Sequence, residues 1–275
     1  MKHAGKPFKK IEEQIEILES RGIVFSDKDI AARFLLRENY YAVVNGYKDA
    51  FLDRQASNIA NEDRYLKGTP FEALMLAYVN DRILRQATMS ALLEAEANLK
   101  TSLVYAFCLV HSGAEDYLDP ACYCSKSDYK PQTRYTKGLI RLLSTLQSIR
   151  DNKMHKNYIE HYVKEYGYLP LWVVSKCITF GTASAFFDYQ SQSVKTRACV
   201  ALSEALSKDV IKQRSLAYAF HTLPEFRNIC AHEERLYCAK VGKNGDKGFS
   251  ELLRALETAL SKWRYDATSK RSLTY

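Results

Sequence analysis

Apolar positions recur at three- and four-residue spacing along most of the chain, the signature of helices that bury one face. Between Phe8 and Gly22, residues Ile11, Ile15 and Leu18 share one stripe, and Gly22 follows as a stop. Ser26 and Asp27 stand where a second helix, running to about Tyr40, needs its cap. Residues 39–52 are rich in tyrosine and β-branched side chains, and periodicity leaves a short strand pair and a helix equally open. Thr69-Pro70-Phe71-Glu72 reads as a helix start, with a cap, a proline in the first turn and an acid behind it. The pattern then stays helical as far as His111, with Met89–Ser90 as a candidate break.

Residues 112–131 read as a loop and 134–152 as a helix. Residues 155–190 give a helix, a Gly–Pro break and a helix; 194–206 give another, and 206–223 a further one continuing into the stretch that follows. GKNGDKG, at 242–248, reads as a turn or hairpin-like loop, and a last helix is expected over 249–265 before a polar tail. The predicted fold is mainly α, a multi-helix bundle with little or no β, arranged as an N-terminal helical region over 1–68 and a second helical domain over 69–275.

Composition changes this picture only in part. The 275 residues can form one large domain or two modest ones. Hydrophobic residues make up 47% and charged residues 26%, ordinary for a globular protein. The formal net charge of +8 points to an anionic partner, with nucleic acid ahead of an acidic membrane surface. Seven cysteines, an odd number, follow an opening that lacks the apolar core of a secretory signal, so free thiols and a cytoplasmic location are expected. Cys122 and Cys124 are too closely spaced for a zinc pair, and no second pair with zinc-site spacing follows, so no metal or other cofactor is expected. No apolar run approaches the roughly 20 residues that cross a bilayer, and no membrane role is expected. Walker, dinucleotide-binding and nucleophile-elbow motifs do not occur.

Chemistry concentrates in LPEFRNICAHEERLY, residues 223–237. Thr222 and Glu225 have capping-box spacing, so a helix is predicted to start there. Glu225, Asn228, His232 and Arg235 would then share one face, while Phe226, Ile229, Cys230, Leu236 and Tyr237 would be buried. Glu233 is the misfit, directed toward the apolar side. Arg227 flanks the polar stripe, and with Asn228 it would lie in the first turn, where free N–H groups favour an anion. A guanidinium and an imidazole converging on one phosphate could cut RNA without metal. The imidazole would activate a 2′-hydroxyl or protonate the leaving oxygen, and the guanidinium would stabilise phosphate charge. The same spacing also describes an ordinary solvated face, with Arg235 paired to Glu234 or Glu225.

The element R-N-I-C-A-H matches the ribonuclease signature of HEPN domains, an arginine and a histidine four to six residues apart. Its context, FRNICAHEERLY, resembles the Abi-like group of bacterial abortive-infection proteins related to AbiD and AbiF. KPFKKIEEQIEILESRGIVFSDKDIAARFLLRENYYAVVNGYKDAFL, EAEANLKTSLVYAF and HYVKEYGYLPLWVVSKCITFGTASAFF are similar to further blocks of that family, so the resemblance covers roughly residues 6–238. It implies a HEPN-like α-helical fold, a homodimer, and a role in phage defence. It also implies a cleft built from two arginine–histidine motifs that cleaves RNA without a metal, and some relatives are associated with a small non-coding RNA. Carried to this chain, Arg227 and His232 would be the catalytic pair and Asn228 the polar neighbour of the arginine. The alternatives are a non-catalytic RNA-binding regulatory module and a helical interaction protein without an RNA role.

Basic residues interleave with aromatics in YKPQTRYTKGLIR, so Arg134, Tyr135, Lys137 and Arg141 are candidate RNA contacts, with Arg235 beside the motif. Glu94, Glu96 and Lys100 interrupt an otherwise apolar helix. Either Glu96 and Lys100 form a helical ion pair, or a carboxylate here orients Arg227 or His232. His155 and His161 do not share a helical face and are not expected to hold a metal.

Overall fold

The structure, a computed structural model, describes residues 7–273, with side chains to residue 270. Its helices are α1 (Ile11–Ser20), α2 (Lys28–Glu38), α3 (Arg54–Ala60), α4 (Phe71–Val110), α5 (Tyr135–Arg150), α6 (Asn157–Tyr166), α7 (Leu171–Val174), α8 (Phe180–Asp188), α9 (Gln192–Ala205), α10 (Gln213–Ala231), α11 (Phe249–Ala259) and α12 (Lys262–Leu273). Among the described residues there is no strand. Three isolated bridges occur, Val24 with Pro70, Leu52 with Tyr65 and Val241 with Lys247. The mainly α class is as the periodicity predicts, and the bridge at Val241–Lys247 closes the expected GKNGDKG turn. The described chain forms two compact units, one of residues 7–84 and one of residues 85–273. That division falls inside α4, whereas the pattern of helix signals puts a boundary between residues 68 and 69.

In the first unit, Ile15 and Leu18 of α1 are buried, as their spacing requires, and Gly22 takes a positive φ of 103° just past the helix. Asp27 caps α2, its carboxylate accepting from the N–H groups of Asp29 (2.8 Å) and Ile30 (2.9 Å). Ser26 does not cap; its hydroxyl donates to Glu72. Phe34 stands edge-on to Phe71 and Tyr78, with ring centroids 6.4 and 5.9 Å away, and Phe25 stacks on Phe71 at 5.2 Å. Fully burying such a ring contributes roughly 1.5–3 kcal/mol. Residues 39–52 resolve the open choice in favour of helical turns, Tyr41–Asn45 and Lys48–Ala50. Helix α4 starts at Phe71, one residue later than predicted, and Thr69 donates its hydroxyl to the Leu66 carbonyl (2.7 Å) instead of capping.

The 40-residue α4 runs without interruption through Met89–Ser90, so the candidate break is not realised. In the second unit its continuation buries Leu92, Ala95, Leu99, Leu103 and Phe107. Phe107 packs on Phe186 of α8 at 5.3 Å, and Phe187 of α8 stacks on Phe220 of α10 at 4.6 Å. The loop at 112–131 is pinned by tyrosines: the buried Tyr117 donates to the Leu169 carbonyl (2.8 Å), and Tyr123 donates to the Tyr117 carbonyl (2.5 Å). The expected last helix is two, because Leu260 takes an extended conformation between α11 and α12. All seven cysteines are free thiols. No described helix is long and apolar enough to cross a membrane.

Candidate functional site

The arginine–histidine element lies at the end of α10, which begins at Gln213, so the helix predicted to start at Thr222 starts well before it. Thr222 is fully buried and accepts a hydrogen bond from Lys247 Nζ (3.0 Å), and Glu225 accepts from the Gly242 N–H (2.9 Å). The apparent capping box therefore holds the 241–247 turn rather than a helix start. Pro224 sits inside the helix, where its ring withholds one backbone N–H. Leu216, Ala219, Phe220, Leu223, Phe226 and Ile229 form the buried face. The anion-binding argument from a helix N-terminus does not apply: Arg227 and Asn228 lie in the last turns, and His232 is the C-cap, its N–H donating to the Asn228 carbonyl (2.9 Å).

The helix stops at Glu233, which is held at φ 57°, and the Glu234 N–H reaches back to the Ile229 carbonyl at 3.0 Å. This is the six-residue bond of a Schellman cap, made with a glutamate where glycine is usual. Glu233 is exposed, so it does not project into the core. The break also removes Arg235 from the stripe: it is exposed beyond the helix end, while Leu236 is buried and Tyr237, predicted to be buried, is 47% exposed. The exposed stripe on α10 is instead His221, Glu225, Asn228 and His232.

Arg227 sits between this stripe and the core. Its Nε lies 3.8 Å from Glu96 Oε2, with 35% and 12% of the two side chains exposed. Both atoms are buried, and neither has a hydrogen-bond partner. Glu96 Oε1 accepts from Lys100 Nζ (3.2 Å), and Lys100 also donates to the Ile178 carbonyl (2.8 Å). The helical Glu96–Lys100 pair therefore exists, but with 12% and 15% of the side chains exposed it is not a solvated surface pair, and the same carboxylate faces Arg227 without hydrogen-bonding to it. Glu94 serves elsewhere, accepting from Arg264 Nε at 2.7 Å. Among the described residues no hydrogen bond engages the Arg227 guanidinium, the Asn228 amide or the His232 ring.

The second group of candidates lies at the start of α5. Arg134, Lys137 and Arg141 are exposed. Tyr135 is committed to structure: its hydroxyl donates to the Cys124 carbonyl (2.6 Å), and its ring lies 5.6 Å from Tyr129 and 5.7 Å from Tyr189. Arg141 lines a cavity of about 490 Å³ with Tyr129, Thr145, Thr182, Asp188 and Tyr189. Asp188 Oδ1 lies 2.6 Å from His221 Nε2, which ties this cavity to the stripe on α10. Nothing in the sequence flagged Asp188, because an acid at a helix end is common and its partner comes from a different helix.

A family model for Abi-like proteins matches residues 33–238, three quarters of the chain and all of the motif just described. The chain belongs to the Abi-like protein family. Membership points to a role in abortive infection, a bacterial defence against phage. No curated protein and no solved structure gives a match.

Proposed function

We propose that this Abi-like protein is an RNA-binding effector of phage defence that cleaves RNA by metal-independent chemistry at Arg227 and His232. The observation that carries the reading is Arg227, a half-buried guanidinium held beside Glu96 with its hydrogen-bonding capacity unused, close in sequence to an exposed imidazole. A permanently charged fork of this kind suits a phosphate. In the proposed step His232 accepts the proton of a 2′-hydroxyl, whose oxygen attacks phosphorus. The 5′-oxygen takes a proton from water as its bond to phosphorus breaks, and a 2′,3′-cyclic phosphate remains. Arg227 stabilises the negative charge that develops on the non-bridging phosphate oxygens. Asn228, one turn before His232 on the same face, would position the ribose or phosphate. Arg134, Lys137, Arg141 and Arg235 would contact the backbone of the strand, whether a small non-coding RNA or another transcript.

Arg227 and His232 are five positions apart, about 140° around a helix axis. A homodimer that faces two such helix ends would complete the cleft with groups from both chains. The same divergence supports the second reading, an RNA-binding module that grips without cutting. Incubation of single-stranded RNA with the full chain in the presence of a chelator separates them. Cyclic-phosphate products from RNA, and none from a 2′-O-methyl analogue, are expected. Tight RNA binding without products would leave the second reading standing.

A further inference from the structure

Helix α4 ends at Val110, and His111 stands just past its last turn, its N–H donating to the Phe107 carbonyl (2.9 Å) and its ring 4.5 Å from the Phe107 ring. His111 Nε2 is buried and has no hydrogen-bond partner. A ring nitrogen left in that state costs about 1–3 kcal/mol unless something meets it. The loop that follows brings two further donors. His111, Asp116 and Cys122 are all part-buried, and each offers a ligand atom such that the three atoms lie within 4.8 Å of one another.

The loop is shaped to hold the carboxylate there. Asp116 Oδ2 accepts from the Gly113 N–H at 2.7 Å, and a Cβ at residue 113 would stand 2.1 Å from Asp116 Oδ1. Only glycine leaves room for the carboxylate to fold back in this way. Cys122 closes the short turn Pro120–Cys122, which Asp119 caps by accepting from the Ala121 N–H at 2.8 Å. Cys108, one helical turn before His111, is half-buried; burial and then the charge of Asp116 push its thiol up, as they do that of Cys122.

We propose that His111, Asp116 and Cys122 form a binding site for one divalent transition-metal ion, best matched by zinc. Imidazole nitrogen, thiolate sulfur and carboxylate oxygen together suit a borderline-soft ion rather than magnesium or calcium, which take oxygen. Ligand distances of about 2.0–2.3 Å put tetrahedral ligands roughly 3.3–3.7 Å apart, so the trio closes by modest side-chain rotation. Coordination through Nε2 would give that His111 nitrogen a partner, and the Cys122 thiol releases its proton to solvent on binding. The ion also lies at the C-terminal end of α4, where unpaired carbonyls favour a cation. Its effect is structural, fastening the 112–131 loop to the helix end. None of the three ligands belongs to the stripe on α10, so this site stands or falls independently of the ribonuclease reading.

The test is metal retention by the purified full chain, stripped with chelator, reloaded with zinc and desalted. About one zinc per chain is expected, and cobalt substitution should give a thiolate charge-transfer band. Cys122→Ser should abolish that band, and Asp116→Asn should weaken retention tenfold or more, while Cys238→Ser should keep both. Far-UV circular dichroism checks each variant. If one does not fold, alkylation mapping on the wild-type chain replaces it, with zinc expected to shield Cys122. Loss of all zinc on desalting, an unchanged cobalt spectrum in Cys122→Ser, or no shielding of Cys122 would overturn the proposal.

Discussion

Arg227 of α10 and Glu96 of α4 face each other at 3.8 Å, both atoms buried and neither hydrogen-bonded. The pair joins the motif helix to the Glu96–Lys100–Ile178 chain of contacts. Removing the acid strands two cations. Glu96→Ala should therefore destabilise the protein by about 2–3 kcal/mol, read from the midpoint of urea unfolding, and Glu96→Gln by less. A midpoint unchanged in Glu96→Ala would mean that the pair holds nothing.

Glu38 in the first unit accepts from Arg82 Nη1 (3.0 Å) and from the Tyr78 hydroxyl (3.0 Å). The Arg82 guanidinium, more than any other neighbour, holds this carboxyl at about 2 against an ordinary value of 4.5. A depressed folded-state value means that the stabilisation is present above pH 4.5 and is lost as pH falls toward 2. Glu38→Gln should flatten that acid limb, removing on the order of 2 kcal/mol at neutral pH. Parallel acid limbs in the two proteins would contradict the assignment.

Glu233 holds a left-handed backbone, φ 57°, without the freedom of glycine. Glu233→Gly should be neutral or stabilising by up to about 1 kcal/mol, while Glu233→Val should cost at least as much. A marked loss of stability in the glycine variant would show that the glutamate side chain, not the turn, matters there.

Arg141 lines the cavity tied through Asp188 to His221. If the strand runs past α5, Arg141→Ala weakens RNA binding and lowers the slope of log affinity against log salt by about 0.7. An unchanged slope would remove Arg141 from the interface.

Much of the fold is legible in the sequence because its signals are local. The Ile11–Ile15–Leu18 stripe, the Asp27 cap and the all-helical periodicity follow from spacing alone. The errors come where tertiary contacts reuse local signals. Thr222 and Glu225 carry the marks of a helix start, yet Lys247 and Gly242 occupy the two side chains and the helix passes through. Glutamate at a left-handed position gives no stop signal, so helical periodicity carries the polar stripe on to Arg235 and the buried face on to Tyr237. Of the candidate site, the motif residues were visible. The facing of Glu96 toward Arg227, and of Asp188 toward His221, depends on how distant helices pack. Periodicity carries no record of that.

The most direct measurement is single-turnover cleavage of one single-stranded RNA by the wild-type chain, His232→Ala and Arg227→Ala, with chelator present and RNA binding recorded in parallel. Wild-type cleavage, with losses of about 10²–10⁴-fold in His232→Ala at near-unchanged binding, is the expected result. Equal cleavage by wild type and His232→Ala would contradict the account.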